Sequence, residues 1–238
     1  MPLGTAADVL TRIWDDVTGR QQAPDPAWIY GLAALALLIV ASRVTWPHAR
    51  HLVTMAHEGS HGLAAALTGR RQRGITLHAD TSGRARSHGA ASGLGLIVTT
   101  AAGYTGPALL GLAAALLLAG EHAMAALWLA VVLLALLLQI RNAWGLLVVL
   151  GSGAALGSIS WWASDEVQSL VAYAGAWFLL IAAPRPVFEL WGRHRRGQRG
   201  SDADVLATLT PLPAMCWIAG FLLVTVGALV AGGWLLLG

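Results

Sequence analysis

His57, Glu58 and His61 form the pattern His-Glu-x-x-His inside the apolar run Leu52 to Leu67. In a helix, residues four apart share one face, about 6 Å apart along the axis. Two imidazoles so placed can bind one Zn²⁺ together, and Glu58 beside them can take a proton from a water that the metal activates. The alternative is a chance match in a helix whose histidines are otherwise satisfied. It is disfavoured because two histidines and a glutamate in a lipid-buried segment are costly to keep without a use.

A catalytic zinc takes three protein ligands and leaves a fourth position open. The third ligand must then come from elsewhere. The candidates are His51, His78, His88, His122, His194, Glu121, Asp165, Glu166, Glu189, Asp202 and Asp204. Most of these fall in loops or at the ends of apolar runs, where a solvated charge needs no explanation. Asp202 and Asp204 differ, because they open the apolar region 203–237, which is longer than the roughly 20 residues one span needs and is broken by Pro211 and Pro213. A half-helix there would carry a carboxylate to membrane depth, shielded by protein. The same two aspartates also suit the first turn of an ordinary helix, where the macrodipole favours negative charge. Residue chemistry alone leaves both readings open. Arg141 and Asn142, at the end of an apolar run, are candidate oxyanion or substrate contacts, though such a pair also reads as a topology signal and a cap.

The elements that must position these groups are membrane helices. The 238 residues are 56% hydrophobic and 11% charged, against about 25% charged in soluble domains. All fifteen basic residues are arginine and they cluster in loops beside apolar runs. That distribution is a topology signal rather than a nucleic-acid footprint. One cysteine, Cys216, excludes an intramolecular disulfide framework and a cysteine zinc site. The first twenty residues lack a basic stretch leading into an apolar one, so no cleavable signal peptide is expected.

The chain divides into residues 1–26, an N-terminal amphipathic helix and linker, and 27–238, an integral membrane domain. Thr5 with Asp8 resembles a capping box, and Ala6, Val9, Leu10, Ile13, Trp14 and Val17 fall on one face of residues 5–18, suited to a membrane surface. Spans are expected at 28–44, 51–67, 93–118, 123–140, 143–159, 167–183 and 214–237, with Gly69 closing the second and Pro184 and Pro186 closing the sixth. Residues 73–88 alternate around the turn Ala79-Asp80-Thr81-Ser82-Gly83 and read as a β-hairpin. A basic loop covers 184–202. The fold class is an all-α polytopic membrane protein of about six to seven transmembrane helices, with a short β-hairpin insertion after the motif helix. With a cytoplasmic N-terminus and seven crossings, the two basic loops and Arg141 fall inside and Glu121, Asp165 and Glu166 outside, leaving Arg43 and Arg50 as exceptions.

The chain resembles the site-2-protease-like intramembrane zinc metalloproteases, of the compact bacterial type without a PDZ domain. The residues that carry the resemblance are Thr54 to Gly69, then Gly103-Tyr104-Thr105-Gly106, then Arg141-Asn142-Ala143-Trp144-Gly145, and last Ser201-Asp202-Ala203-Asp204 with Thr210-Pro211-Leu212-Pro213 and Trp217. It implies one Zn²⁺ held by His57, His61 and an aspartate, with Glu58 as the general base. Asp202 fits the Ser-Asp-Ala pattern best and Asp204 is the reserve. Better-known members place that aspartate in an Asp-Gly pair within a span, which this chain lacks. The implied activity is hydrolysis of peptide bonds in or next to transmembrane segments of a membrane-embedded protein substrate. The implied location is the bacterial plasma membrane. A ZIP-like divalent metal transporter also carries His-Glu-x-x-His, but the third span here has no His, Asp or Glu to line a pathway. A non-catalytic membrane scaffold of the same fold would not need Glu58. The sequence sets neither the substrate nor the oligomeric state.

Overall fold

The computed structural model describes residues 5–78, 80, 82–136 and 140–238. The order of elements is α1 (Ala6–Thr18), α2 (Pro26–Ala41), α3 (Trp46–Leu67), β1 (Arg71–Leu77), β2 (Gly83–His88), α4 (Leu94–Ala119), α5 (Ala123–Leu136), α6 (Ala143–Trp162), α7 (Asp165–Ala182), α8 (Pro184–Arg195), α9 (Asp202–Leu209) and α10 (Ala214–Leu237). Ala79 and Thr81 of the expected turn, and residues 137–139 of the fourth expected span, lie outside the described residues.

Four stretches are long and apolar enough to cross a bilayer: α4, α6, the 31-residue run Asp165–Arg195 and α10. A fifth is reached when α2 and α3, bent by 102° at the break between them, are counted as one. Length and composition therefore give fewer crossings than the six to seven expected. The 16 residues of α2 extend about 24 Å at 1.5 Å per residue, short of a hydrocarbon core of about 30 Å. In α3, Arg50, His57, Glu58 and His61 dilute the apolar run, and α5 is a shorter apolar helix.

The sixth expected span does not stop at its prolines. Pro184 is in the first turn of α8, where its missing N–H would be unpaired in any helix, and α7 and α8 run on together to Arg195. Most of the expected basic loop 184–202 is therefore helix. Gly69 does close α3: it has φ +70°, and the Arg70 N–H reaches back to the Ala65 carbonyl at 2.8 Å, a left-handed helix stop. The capping box of α1 is present, with Thr5 and Asp8 bonded to each other's backbone.

The largest core lies between α2, α4, α5, α7 and α10, where Ala108, Ala115, Ala176 and Leu180 are buried. Small residues let helices approach closely where no hydrophobic force separates helix from lipid. Gly111 and Gly232 both sit against Leu180.

Contacts at the helix ends sort the molecule into two ends. At one end the Gln21 N–H donates to the Glu121 carbonyl at 2.8 Å, and His122 bonds the Gly19 carbonyl at 3.0 Å. The Ser169 hydroxyl donates to the Gln22 carbonyl, and Arg12 stacks over the Trp161 ring. The segment before α2 thus shares an end with Glu121 and the α6–α7 turn. The charge-based scheme had set them on opposite sides, and this contact corrects it. At the other end the Trp46 indole donates to Glu189 at 3.0 Å and Arg50 pairs with Glu189 at 3.3 Å. The sheet also lies there. Its strands pair antiparallel, Ile75 opposite Ala85 and Leu77 opposite Gly83, and Ile75 bridges to Ile140. Asp80 accepts from both the Ser82 hydroxyl and its N–H, which hold its carboxyl below the usual carboxylate range.

Candidate metal centre

The motif lies mid-way along α3, and α3 packs closely on α4. The reason is the glycines of Gly103-Tyr104-Thr105-Gly106. A β-carbon at Gly103 would overlap the His61 ring, and one at Gly106 would overlap the Ser60 side chain. Ser60 is itself turned inward, its hydroxyl donating to the Ala56 carbonyl at 2.6 Å.

His57 Nε2 and His61 Nε2 are 3.2 Å apart. Asp202 Oδ2 lies 3.3 Å from the first and 3.4 Å from the second. These three form a group that could hold a metal ion, with all ligand atoms within 4.8 Å of one another. Zn–N and Zn–O bonds of about 2.0–2.1 Å put tetrahedral ligands about 3.3 Å apart, so the donor set fits zinc in both chemistry and spacing. His61 Nδ1 donates to the Thr99 carbonyl at 2.7 Å. Because a carbonyl only accepts, this bond fixes the proton on Nδ1 and turns the Nε2 lone pair toward the centre.

Asp202 arrives on α9, the short helix ahead of Pro211 and Pro213. Ser201 and Asp204 form a capping box at its start, which engages the Asp204 carboxylate locally. Asp204 accepts from the Ser201 hydroxyl at 2.7 Å and faces His194 at 3.5 Å. Burial opposes its ionisation, yet the Ser201 bonds outweigh burial and hold its carboxyl below the usual range. Residues two apart in a helix do not face the same way, so one aspartate caps while the other points to the histidines. Both aspartates lie in the first turn of α9, and Asp202 is the one that approaches the histidines.

Glu58 is buried, 5% exposed, beside the same cavity of about 390 Å³ that His57, His61, Tyr104, Arg193 and Asp202 line. Gly83, the first residue of β2, touches it: a β-carbon there would come within 2.6 Å of Glu58 Oε1. A larger apolar cavity of about 580 Å³ lies on the opposite face of α3, past Ala56, Gly59 and Leu63, and none of its lining side chains is titratable.

The other sequence candidates are placed elsewhere. His51 packs on Trp144, His122 is bonded to Gly19, and His194 pairs with Asp204. Glu121 faces Arg20. Glu189 holds Arg50 and Arg185, and Asp165 and Glu166 sit in the first turn of α7. Asn142 does not face the cavity: its amide donates to the Leu77 carbonyl, and its Oδ1 accepts from the Leu77 N–H at 3.1 Å, so it pairs with β1 as a neighbouring strand would. The Arg141 side chain packs against Gly74. The residues that sequence reasoning did not single out for the site are Thr99, Tyr104, Gly83 and Arg193. Only Tyr104 carried a signal, its place between two glycines.

The chain matches the Peptidase M50B-like family over residues 30–232. It belongs to that family. This is the site-2-protease family, a family of membrane metallopeptidases, and the match spans every element from α2 to α10 apart from its ends. No curated protein and no solved structure gave a significant match. Family membership and the His57–His61–Asp202 group together make this a multi-pass membrane protein of the metalloprotease type, with a site able to hold a metal.

Proposed function

We propose that this M50B-like chain is a zinc-dependent endopeptidase that hydrolyses peptide bonds in or next to transmembrane segments. The observation that carries the reading is the convergence of His57, His61 and Asp202 at tetrahedral-edge spacing beside the buried Glu58. Zinc bound there supplies Lewis acidity toward water and toward a carbonyl oxygen. Glu58 takes the proton from the attacking water and later delivers it to the leaving amine. Its burial shields that transfer from bulk water. Thr99 holds His61 in one tautomer, and Gly103 leaves room for both rings.

The substrate segment must unwind to expose a bond. β1 is held from behind by Ile140 and Asn142, while β2 begins against Glu58. An extended substrate would pair with the outer edge of β2 and so pass the base.

The end-to-end contacts support six traverses, by α2, α4, α5, α6, α7 with α8, and α10. In this arrangement α3 dips into the bilayer without crossing it. Arg12 and Arg20 share their end with Glu121, Asp165 and Glu166; the segments with every other arginine, Arg43 and Arg50 included, lie at the opposite end. The positive-inside rule assigns that second end to the cytoplasm. Both termini are then external, which changes the side of the N-terminus alone from the assignment made by charge and span counting. The cavity opens beside the α8–α9 connection, so cleavage occurs near the cytoplasmic boundary of the cell membrane. The deciding experiment is Glu58→Gln: the variant retains zinc and loses cleavage of a membrane-embedded substrate, and retained cleavage sinks the reading.

A further inference from the structure

We propose that Tyr104 is a catalytic residue whose phenol O–H donates to the oxyanion that develops on the scissile carbonyl, with Arg193 as its positioning residue. The inference rests on the peptidase reading above.

Peptide hydrolysis needs a donor aimed at the carbonyl oxygen as it gains charge. The donors nearest in sequence to known motifs are engaged elsewhere: the Asn142 amide on Leu77 and the Arg141 chain against Gly74. Around the cavity, the Ser201 hydroxyl is given to Asp204 at 2.7 Å, and Arg199 is turned to the His194 carbonyl at 3.0 Å. Tyr104 lines the cavity with the three ligand residues and Glu58 and is only 9% exposed. Its ring stands edge-on to His57, centroids 4.8 Å apart, and stacks on Phe221 at 5.2 Å. Packing therefore fixes the ring beside the metal-binding residues.

The hydroxyl has one donor proton and two lone pairs. Arg193 Nη2 donates to it at 3.3 Å, occupying a lone pair. No acceptor takes the phenol proton among the described residues. An Arg N–H on the oxygen also polarises the O–H and makes it a stronger donor. The result is a preorganised donor beside the metal centre that is itself neutral, so it adds no charge to be desolvated before substrate enters.

The test compares the full chain with Tyr104→Phe in detergent, reading zinc content, kcat, KM and affinity for a peptide phosphonamidate, a tetrahedral anionic mimic. Tyr104→Phe is expected to keep its zinc and its KM while kcat falls on the order of 10²- to 10³-fold, the scale of one lost oxyanion donor. Phosphonamidate affinity should fall by a similar factor. Arg193→Gln should weaken the mimic by about tenfold and Arg193→Lys by less, since the hydrogen bond they remove or reshape acts through the phenol. Undiminished phosphonamidate affinity in Tyr104→Phe overturns the proposal, as does a parallel loss of zinc, which would make the ring a support for His57 only. If Tyr104→Phe does not fold, Arg193→Gln carries the test, and unchanged affinity for the mimic there overturns the proposal equally. A Glu58→Gln variant that still cleaves would sink the peptidase reading itself; an inactive Glu58→Gln beside a fully active Tyr104→Phe sinks only the role of Tyr104.

Discussion

Gly103 on α4 faces the imidazole of His61 on α3 at a distance that leaves no room for a β-carbon. The metal centre is thus shaped from behind by the absence of a side chain. Gly103→Ala must push His61 away from His57 or part the helices. Overpacking of this kind costs about 1–3 kcal/mol, and any ring rotation also breaks the Nδ1 bond to Thr99. The expected outcome is a protein that still inserts but binds zinc at least about tenfold more weakly, the scale seen when ligand orientation is lost. Isothermal titration of apo protein with zinc would check this, and wild-type affinity would show that α4 yields freely.

Asp202 and Asp204 differ by two positions and are assigned different work. Asp202→Asn should lose metal retention, whereas Asp204→Asn should keep it. The second variant weakens a capping box and the contact with His194, with a stability loss of about 1 kcal/mol and a correspondingly lower Tm. Metal analysis after dialysis separates the two. Equal zinc retention by both would move the third ligand elsewhere.

Much of this candidate site is legible in the sequence. His57, Glu58 and His61 are local, and helical periodicity alone brings them to one face. Asp202 is about 145 residues away, and residue chemistry could narrow the third ligand only to two aspartates; the choice between them depends on which one turns toward α3, a property of the α8–α9 connection. The number of crossings turns on a related point. The run His51–Leu67 has the composition of a perturbed span, whereas the 102° bend between α2 and α3 goes with contacts of Trp46 and Arg50 to Glu189, a residue far away in sequence. The prolines after α7 were read as a stop, although Pro in a first helical turn starts a helix as readily as it ends one. Asn142, polar at a span end, reads as a candidate substrate contact and more readily as part of a topology signal and a cap. Its real partner, the backbone of Leu77, is a non-local one that no spacing announces.

The pair of hydrogen bonds between Asn142 and Leu77 predicts a separable effect on the sheet. Asn142→Leu leaves the Leu77 N–H and carbonyl unpaired in a partly buried place, a loss of about 1–3 kcal/mol for each unsatisfied group. It touches none of the metal-binding residues. Zinc content should therefore stay at wild-type level while β1 and β2 become accessible to added protease and KM for an extended substrate rises. Loss of zinc in this variant would contradict the separation of hairpin and metal centre.

The contact of Gln21 with Glu121 puts the segment before α2 at the same end as Glu121 and Ser164, whereas charge and span counting place the N-terminus, and that alone, at the other. With the α1 end external, Ser164 faces the outside and Ala91, between β2 and α4, faces the cytoplasm; both are exposed. The native thiol is removed first by Cys216→Ser, because Cys216 is exposed. In that background, Ser164→Cys should react with a membrane-impermeant maleimide in intact cells, and Ala91→Cys only after permeabilisation. The arginines of the hairpin, α8 and the α8–α9 connection make this arrangement the favoured one, since retention of arginine on the cytoplasmic side sets orientation more strongly than acidic residues do. Labelling in the opposite order would put the active-site cavity on the external face, and the released fragment of any substrate with it.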